Sequence, residues 1–69
     1  MSDSVYKVIE LVGTSSESWE QAAVTAVERA SKTLRDLRVA EVTSQDLVIE
    51  DGKVKAFRTK LNVSFKFED

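Results

Sequence analysis

A chain of 69 residues without cysteine or histidine has few means of holding itself in one folded state. A domain of about 60 residues buries only about 60% of the surface that its unfolded chain exposes. Domains of this size usually add a disulfide, a metal or a partner subunit. Because a disulfide and a thiolate metal site need cysteine, we expect association between subunits to stabilise this single domain, residues 1–69.

The composition excludes several classes of protein. An apolar fraction of 42% and a charged fraction of 32% are typical of a globular domain rather than a disordered one. The net charge is −2 and no basic stripe is present, which argues against a nucleic-acid partner. No apolar run reaches the roughly 20 residues that span a bilayer. Residues 1–4 lack the pattern of a secretory signal, so we expect a cytoplasmic protein without a membrane partner.

The first half of the chain predicts a strand followed by a helix. Residues 5–12 are rich in β-branched and aromatic residues and end at Gly13, as a strand does. Between Trp19 and Leu37, apolar residues recur every three or four positions, which predicts an amphipathic helix that runs to about Leu37. The candidate N-cap residues are Thr14, spaced from Glu17 as in a capping box, and Ser15 or Ser16.

The second half predicts a β-hairpin. We expect a strand over residues 39–49 and a longer one over residues 54–67, where apolar and polar residues alternate with a period of two. Asp51-Gly52 lies between them, and both residues tolerate the positive φ of a tight hairpin turn. The predicted order is therefore strand, helix, strand, strand, an α+β fold with the helix on one face of an antiparallel sheet.

A two-residue turn also predicts the register of the hairpin. It places Glu50 opposite Lys53 and, counting back, Gln45 opposite Arg58. The helix then covers one face of the sheet, and the other face is a candidate association surface. On that uncovered face, beside Arg58, this register places Val39, Glu41, Thr43, Gln45 and Leu47.

The same register puts Ser44 and Asp46 on the helix side, where polar side chains fit poorly. A one-residue β-bulge near Gln45 would move them to the opposite face. We therefore expect a bulge near Gln45.

Three segments of the chain, in this order and at these spacings, resemble the dodecin family. They are Tyr6-Lys7-Val8-Ile9-Glu10-Leu11-Val12-Gly13-Thr14-Ser15, Val39-Ala40-Glu41-Val42 and Val63-Ser64-Phe65-Lys66-Phe67. The resemblance covers nearly the whole chain. It implies a three-stranded antiparallel sheet partly wrapped around one helix, with twelve copies forming a hollow shell of cubic symmetry.

The resemblance also implies a non-enzymatic role. The best-known dodecins bind flavins in pairs at two-fold interfaces, between stacking tryptophans and against a glutamine. In this chain the tryptophan position is Val39 and the glutamine position is Arg58. Because valine has no ring for stacking, we do not expect paired binding of FMN or riboflavin. The chain looks more like a flavin-deficient branch that includes a mycobacterial calcium-binding member.

Four residues on the uncovered face are the candidate ligand pocket at a subunit interface: Val39, Glu41, Gln45 and Arg58. Arg58 offers a planar fork of donors to an anion. Alternatively, Arg58 forms an interface salt bridge with Glu41 or with a carboxylate of the next subunit.

Without histidine and cysteine, the only metals expected are hard cations such as Ca²⁺ or Mg²⁺, held by carboxylates on a symmetry axis. No residue is a catalytic candidate, because no histidine activates the serines and no carboxylate pair is placed for acid–base chemistry. Together with these observations, the resemblance to dodecins implies a homododecameric binding or storage protein. The alternatives are a flavin-sequestering dodecin and an interaction module that binds another protein through its sheet edge.

Overall fold

The computed structural model describes residues 3–67 and has the predicted order of elements. The sheet order is β1-β3-β2 and both strand pairs are antiparallel, so β3 is the central strand. The predicted β-α-β-β arrangement, with one helix against a three-stranded antiparallel sheet, is confirmed. The elements are β1 at Tyr6–Ser15, α1 at Trp19–Ala30, β2 at Leu37–Glu50 and β3 at Lys53–Lys66.

The helix begins later than the sequence predicts. β1 continues to Ser15 because its last residues pair with β3, where the prediction had a turn. The N-cap is Ser18, whose Oγ accepts a hydrogen bond from the Gln21 amide at 2.9 Å. Ser15 instead accepts a bond from the Glu17 amide at 2.9 Å and so stabilises the turn before the helix. The predicted caps are therefore wrong.

The helix also ends earlier than predicted, at Ala30 rather than near Leu37. The Leu34 amide still donates to the Ala30 carbonyl at 2.9 Å, but Asp36 has a φ of 59° and the chain turns there into β2. Aspartate adopts this left-handed conformation more readily than most residues. Leu37 pairs with Phe65 of β3, so its apolar side chain belongs to the sheet and only matches the helical spacing by coincidence.

The helix packs closely on β1 at Gly13. A Cβ atom at this position would overlap the Ala22 carbonyl and would lie 3.0 Å from the Ala26 Cβ. The alanine-rich stripe of α1 permits this approach, and Ala22 is fully buried. The helix contacts mainly β1 and β3 and scarcely touches β2. The edge of the sheet formed by β2 is therefore left largely uncovered by its own helix.

The hairpin turn forms as predicted, with positive φ at both Asp51 (52°) and Gly52 (74°). Glu50 pairs with Lys53, also as predicted. A register shift follows between Val48 and Ile49, where β3 carries one extra residue. This bulge moves the pairing by one position, which the sequence did not indicate.

A second bulge reverses the shift. Between Val42 and Ser44, β2 carries one extra residue, Thr43, and Val42 then pairs with Leu61 as the simple register predicts. The expected bulge near Gln45 is thus confirmed. Between the two bulges the predicted register is wrong, since Gln45 pairs with Thr59 and not with Arg58.

The shifted register changes which side chains share a face. Residues directly opposite each other in a sheet project from the same face. Gln45 lies opposite Thr59, which is buried, and Leu47 lies opposite Phe57, which is half-buried. Both Gln45 and Leu47 are therefore on the helix side of the sheet, and the predicted face was wrong. Ser44 and Asp46 lie on the helix-free face, which is the position that a bulge near Gln45 predicts for them.

The buried core is small. Among residues 3–67 the buried apolar residues are Ala22, Ala30, Leu61 and Val63, joined by Thr59, whose hydroxyl donates to the Trp19 carbonyl at 2.8 Å. Among the same residues, eleven large apolar side chains are exposed in the isolated subunit. They are Val5, Tyr6, Val8, Val12, Val24, Val39, Val42, Leu47, Ile49, Val54 and Phe67.

The contact at Gly13 leads to a stability prediction. Replacing Gly13 with alanine should lower the free energy of unfolding by about 1–3 kcal/mol, since a methyl group must displace the helix from β1. Thermal unfolding at a fixed chain concentration measures the effect. The exposed loop substitution Ser16→Ala is the matched control and should change stability by less than about 0.5 kcal/mol. Equal melting temperatures for Gly13→Ala and the parent would contradict the close packing.

Candidate functional site

The helix-free face of the sheet carries the candidate site. Because β3 pairs with both edge strands, side chains of this face form rows that cross β1, β3 and β2 in turn. Three rows matter for the site: Val8, Ser64 and Val39; Glu10, Asn62 and Glu41; Thr14, Arg58 and Asp46.

The strongest polar interaction on this face is an ion pair between Arg58 and Asp46. The Arg58 Nε donates to Asp46 Oδ1 at 2.6 Å and its Nη2 donates to Oδ2 at 2.7 Å. This bidentate geometry is the one that a guanidinium and a carboxylate prefer. A salt bridge from Arg58 was one of the predicted alternatives, but its partner is Asp46 of the same subunit, whereas the prediction named Glu41 or a neighbouring subunit.

The ion pair stabilises the charged form of both groups. Hydrogen bonding from Arg58 lowers the pKa of the Asp46 carboxyl, with smaller contributions from the charges of Arg58 and Lys60 against partial desolvation. The bond to Asp46 likewise raises the pKa of Arg58. The pair is therefore fully ionised at neutral pH. Both side chains are about 40% exposed, so solvent and salt weaken the attraction.

The main chain of Asp46 is also tied to the helix. The Trp19 Nε1 donates to the Asp46 carbonyl at 3.1 Å. The Trp19 ring meets Phe57 edge-on, with centroids 5.2 Å apart and planes at 77°. Trp19, at the first turn of α1, thus holds the segment of β2 between the two bulges, which is the segment that presents Asp46 to Arg58.

The four predicted pocket residues do not form one cluster. Val39, Glu41 and Arg58 share the helix-free face, whereas Gln45 lies on the helix side. Val39 is level with Ser64 on β3, six residues from Arg58, which is about 20 Å along a strand. A small ligand that contacts both Val39 and Arg58 must therefore lie between two subunits.

Sequence reasoning missed Asp46 as the partner of Arg58. The signal was present, because the simple register left two polar residues, Ser44 and Asp46, facing the helix. The position of the bulge relative to Arg58 was the missing information.

Carboxylates on the helix-free face offer oxygen ligands but no complete metal site. Glu10 and Glu41 flank Asn62 in one row. Across residues 3–67, no group of three or more acidic side chains is arranged to hold a metal ion. A cation held by three or more carboxylates of the described residues would therefore draw them from more than one subunit. Within the same residues, no helix has the length and apolarity needed to cross a membrane.

These features define a class of protein: a small α+β subunit with one helix on a three-stranded antiparallel sheet and a second sheet face free for a ligand or another subunit. A sequence profile described as Dodecin matches residues 5–68. The chain belongs to the dodecin family, which confirms the resemblance in its three motifs.

Relatives and solved structures agree with this assignment. The chain is 52% identical over 63 residues to Calcium dodecin of Mycobacterium tuberculosis, covering 91% of this chain and 89% of the relative. Among solved structures, the dodecin of Streptomyces coelicolor superposes with a TM-score of 0.93 at 45% identity, covering 100% and 99% of the two chains. Calcium dodecin of M. tuberculosis, described with a novel calcium-binding site, superposes with a TM-score of 0.84 at 53% identity, covering 94% and 93%.

The ion pair predicts a pH dependence of stability. Because the pKa of Asp46 is lowered in the folded state, its stabilising effect is present above the ordinary aspartate pKa of about 3.9 and is lost as the pH falls through the lowered value. Thermal melts of the parent and Asp46→Asn should differ by a constant amount near neutral pH and converge at low pH.

A double-substitution cycle provides the control for this effect. In an Arg58→Gln background, Asp46→Asn should produce a much smaller pH-dependent difference, since only the charge of Lys60 still lowers the pKa of Asp46. A difference that persists unchanged at low pH, or that keeps its full size in the Arg58→Gln background, would contradict the assignment.

Proposed function

We propose that the protein assembles as a homododecamer that binds and stores small ligands or cations at its subunit interfaces, without enzymatic activity. The exposed apolar surface of the subunit is the observation that carries this proposal. Within residues 3–67, eleven large apolar side chains are exposed and four apolar residues are buried. Similarity to dodecins over nearly the full chain supports a shell of the family type. The absence of histidine and cysteine leaves no obvious catalytic group.

Calcium is the ligand that the proposal favours. The Calcium dodecin of M. tuberculosis is 52% identical to this chain, and its structure is described with a calcium-binding site. The sequence offers only oxygen ligands, which suit Ca²⁺ and Mg²⁺. Calcium tolerates more flexible coordination than magnesium does, so it suits a site assembled from several subunits. Glu10, Asn62 and Glu41 are oxygen donors on the face that assembly would bring together.

Flavin binding is the weaker proposal for this chain. Compared with the best-known flavin-binding dodecins, this chain has Val39 in place of the stacking tryptophan, and valine offers no aromatic face. Arg58 replaces the glutamine, and its guanidinium is engaged by Asp46 at 2.6 and 2.7 Å. A flavin edge would have to compete with that carboxylate. We therefore propose that a pocket formed between subunits by Val39, Glu41 and Arg58 serves ions or small polar ligands.

One experiment tests assembly and calcium binding together. Light scattering of the purified protein should give the mass of twelve chains of 7.7 kDa each. Titration with CaCl₂ in the same buffer should show saturable binding at less than one ion per chain, since a site on a symmetry axis is shared by several subunits. Glu41→Gln should weaken binding and leave the mass unchanged.

Two results would contradict the proposal. A stable monomer or dimer at micromolar concentration would exclude the shell and favour the interaction module. A dodecamer with no saturable calcium binding would exclude calcium as its ligand.

A second experiment tests the loss of flavin binding. The parent protein should leave riboflavin and FMN fluorescence almost unchanged, whereas Val39→Trp with Arg58→Gln should quench it at stoichiometric concentrations. Stacking on an aromatic ring supplies the missing attraction. Val5→Trp, which adds a tryptophan at an exposed position outside the pocket, is the control. Strong quenching of flavin fluorescence by the parent protein would favour a flavin-sequestering dodecin. If the double variant quenches no more than the parent does, the pocket is not at Val39 and Arg58.

A further inference from the structure

The indole of Trp19 makes a polar contact as well as an apolar one. Its ring meets Phe57 edge-on, and its Nε1 donates to the Asp46 carbonyl, 27 residues along the chain. Among residues 3–67, Trp19 is the one residue of α1 whose side chain hydrogen-bonds to the sheet. A polar contact of this kind fixes a direction, whereas apolar packing alone does not.

The main chain of Trp19 is fixed as well. Trp19 follows the N-cap residue Ser18 and is the first residue of α1. Its carbonyl accepts a hydrogen bond from the hydroxyl of Thr59 at 2.8 Å, and Thr59 is fully buried on the central strand β3. The indole therefore extends towards β2 from a backbone that both the helix and the sheet hold in place.

The stretch of β2 that the indole holds is the one between the two bulges. Only in this shifted register does Asp46 lie opposite Arg58, since the simple register puts Gln45 there. A hydrogen bond to the Asp46 main chain favours the shifted register. Asp46 is thus held at two points, by its carbonyl at Trp19 and by its carboxylate at Arg58.

We propose that Trp19 positions the Asp46 carboxylate as a charge filter, a group that occupies Arg58 and keeps anionic ligands away from it. A free guanidinium binds carboxylates and phosphates through two parallel N–H groups. Asp46 already accepts from Nε and Nη2 of Arg58, at 2.6 and 2.7 Å. An anion that approaches the remaining N–H groups meets a neutral pair rather than a net positive charge.

The inference rests on the proposed pocket and names the ligands that it takes, which are cations and uncharged polar molecules. The charged groups that act on the Asp46 carboxyl are Arg58 and Lys60. Both lie on the helix-free face of β3, where Arg58 pairs with Asp46 and Lys60 pairs with Ser44. From the other side, α1 reaches this segment through the uncharged indole of Trp19. Displacing or neutralising the carboxylate therefore leaves positive charge that attracts an anion.

Calorimetric titration with inorganic phosphate at constant NaCl concentration tests the filter in the assembled protein. Asp46→Asn should bind phosphate at least about tenfold more tightly than the parent, since the guanidinium becomes available for charge-assisted hydrogen bonds. Trp19→Phe keeps an aromatic ring and loses the N–H donor, so its affinity should lie between the two. The matched control is Asp46→Asn with Arg58→Gln, which keeps Lys60 and should show no gain over the parent.

The pH dependence of stability separates a positioning role of Trp19 from a merely structural one. In a Trp19→Phe background, the pH-dependent difference in melting temperature that Asp46→Asn produces should shrink, because Asp46 is no longer held against Arg58. Gln21→Ala is the control background, since the Gln21 side chain bonds only to Thr25 within α1, and it should leave the difference unchanged. A lower melting temperature in Trp19→Phe with the pH-dependent difference at full size would overturn the positioning role.

The outcomes also separate the filter from the proposed shell and its calcium site. Tighter phosphate binding only in variants that keep Arg58 supports the filter. A parent that forms the dodecamer and binds calcium, while Asp46→Asn gains no phosphate binding, would overturn the filter alone. A gain that survives Arg58→Gln would also overturn it. A monomeric parent in which Asp46→Asn still gains phosphate binding would overturn the shell and support the filter.

Discussion

The structure depends on how little of the sheet its one helix can cover. At Gly13 the backbone of β1 comes so close to Ala22 that no side chain fits between them, and this draws α1 over β1 and β3. The edge strand β2 and the tip of the β2–β3 hairpin are left largely uncovered as a result. In the part of the chain that the structure describes, four apolar residues are buried and eleven large ones are exposed. An isolated subunit gains little from so small a core, because burial of apolar surface is the main stabilising term in folding.

Two β-bulges decide what the helix-free face presents. Without them, Asp46 would face the helix and Arg58 would have no carboxylate partner across the hairpin. With the two bulges, a short segment of β2 is shifted by one residue relative to β3. Asp46 and Arg58 then share a face and form a bidentate ion pair. The same segment is held from the other side by the Trp19 indole. The charge of the candidate site is thus set by backbone irregularities that do not alter the overall fold.

Local patterns in the sequence predicted the features that depend on local physics. The Asp51-Gly52 turn and the alternation along β3 are of this kind, and the family motifs extended them to the whole fold. The end of the helix was not predictable in this way, because Leu37 fits the helical spacing yet pairs with β3. The pairing of Arg58 needed the position of each bulge, which depends on contacts with the helix and on the sheet as a whole.

We infer that a single subunit cannot bury enough apolar surface to remain folded alone. The most direct measurement follows secondary structure by circular dichroism and mass by light scattering while the protein is diluted. We predict that the helix and strand signals are lost together with the assembled mass. The melting temperature should decrease as the chain concentration is lowered. A dilute monomer that keeps its full secondary structure would contradict it.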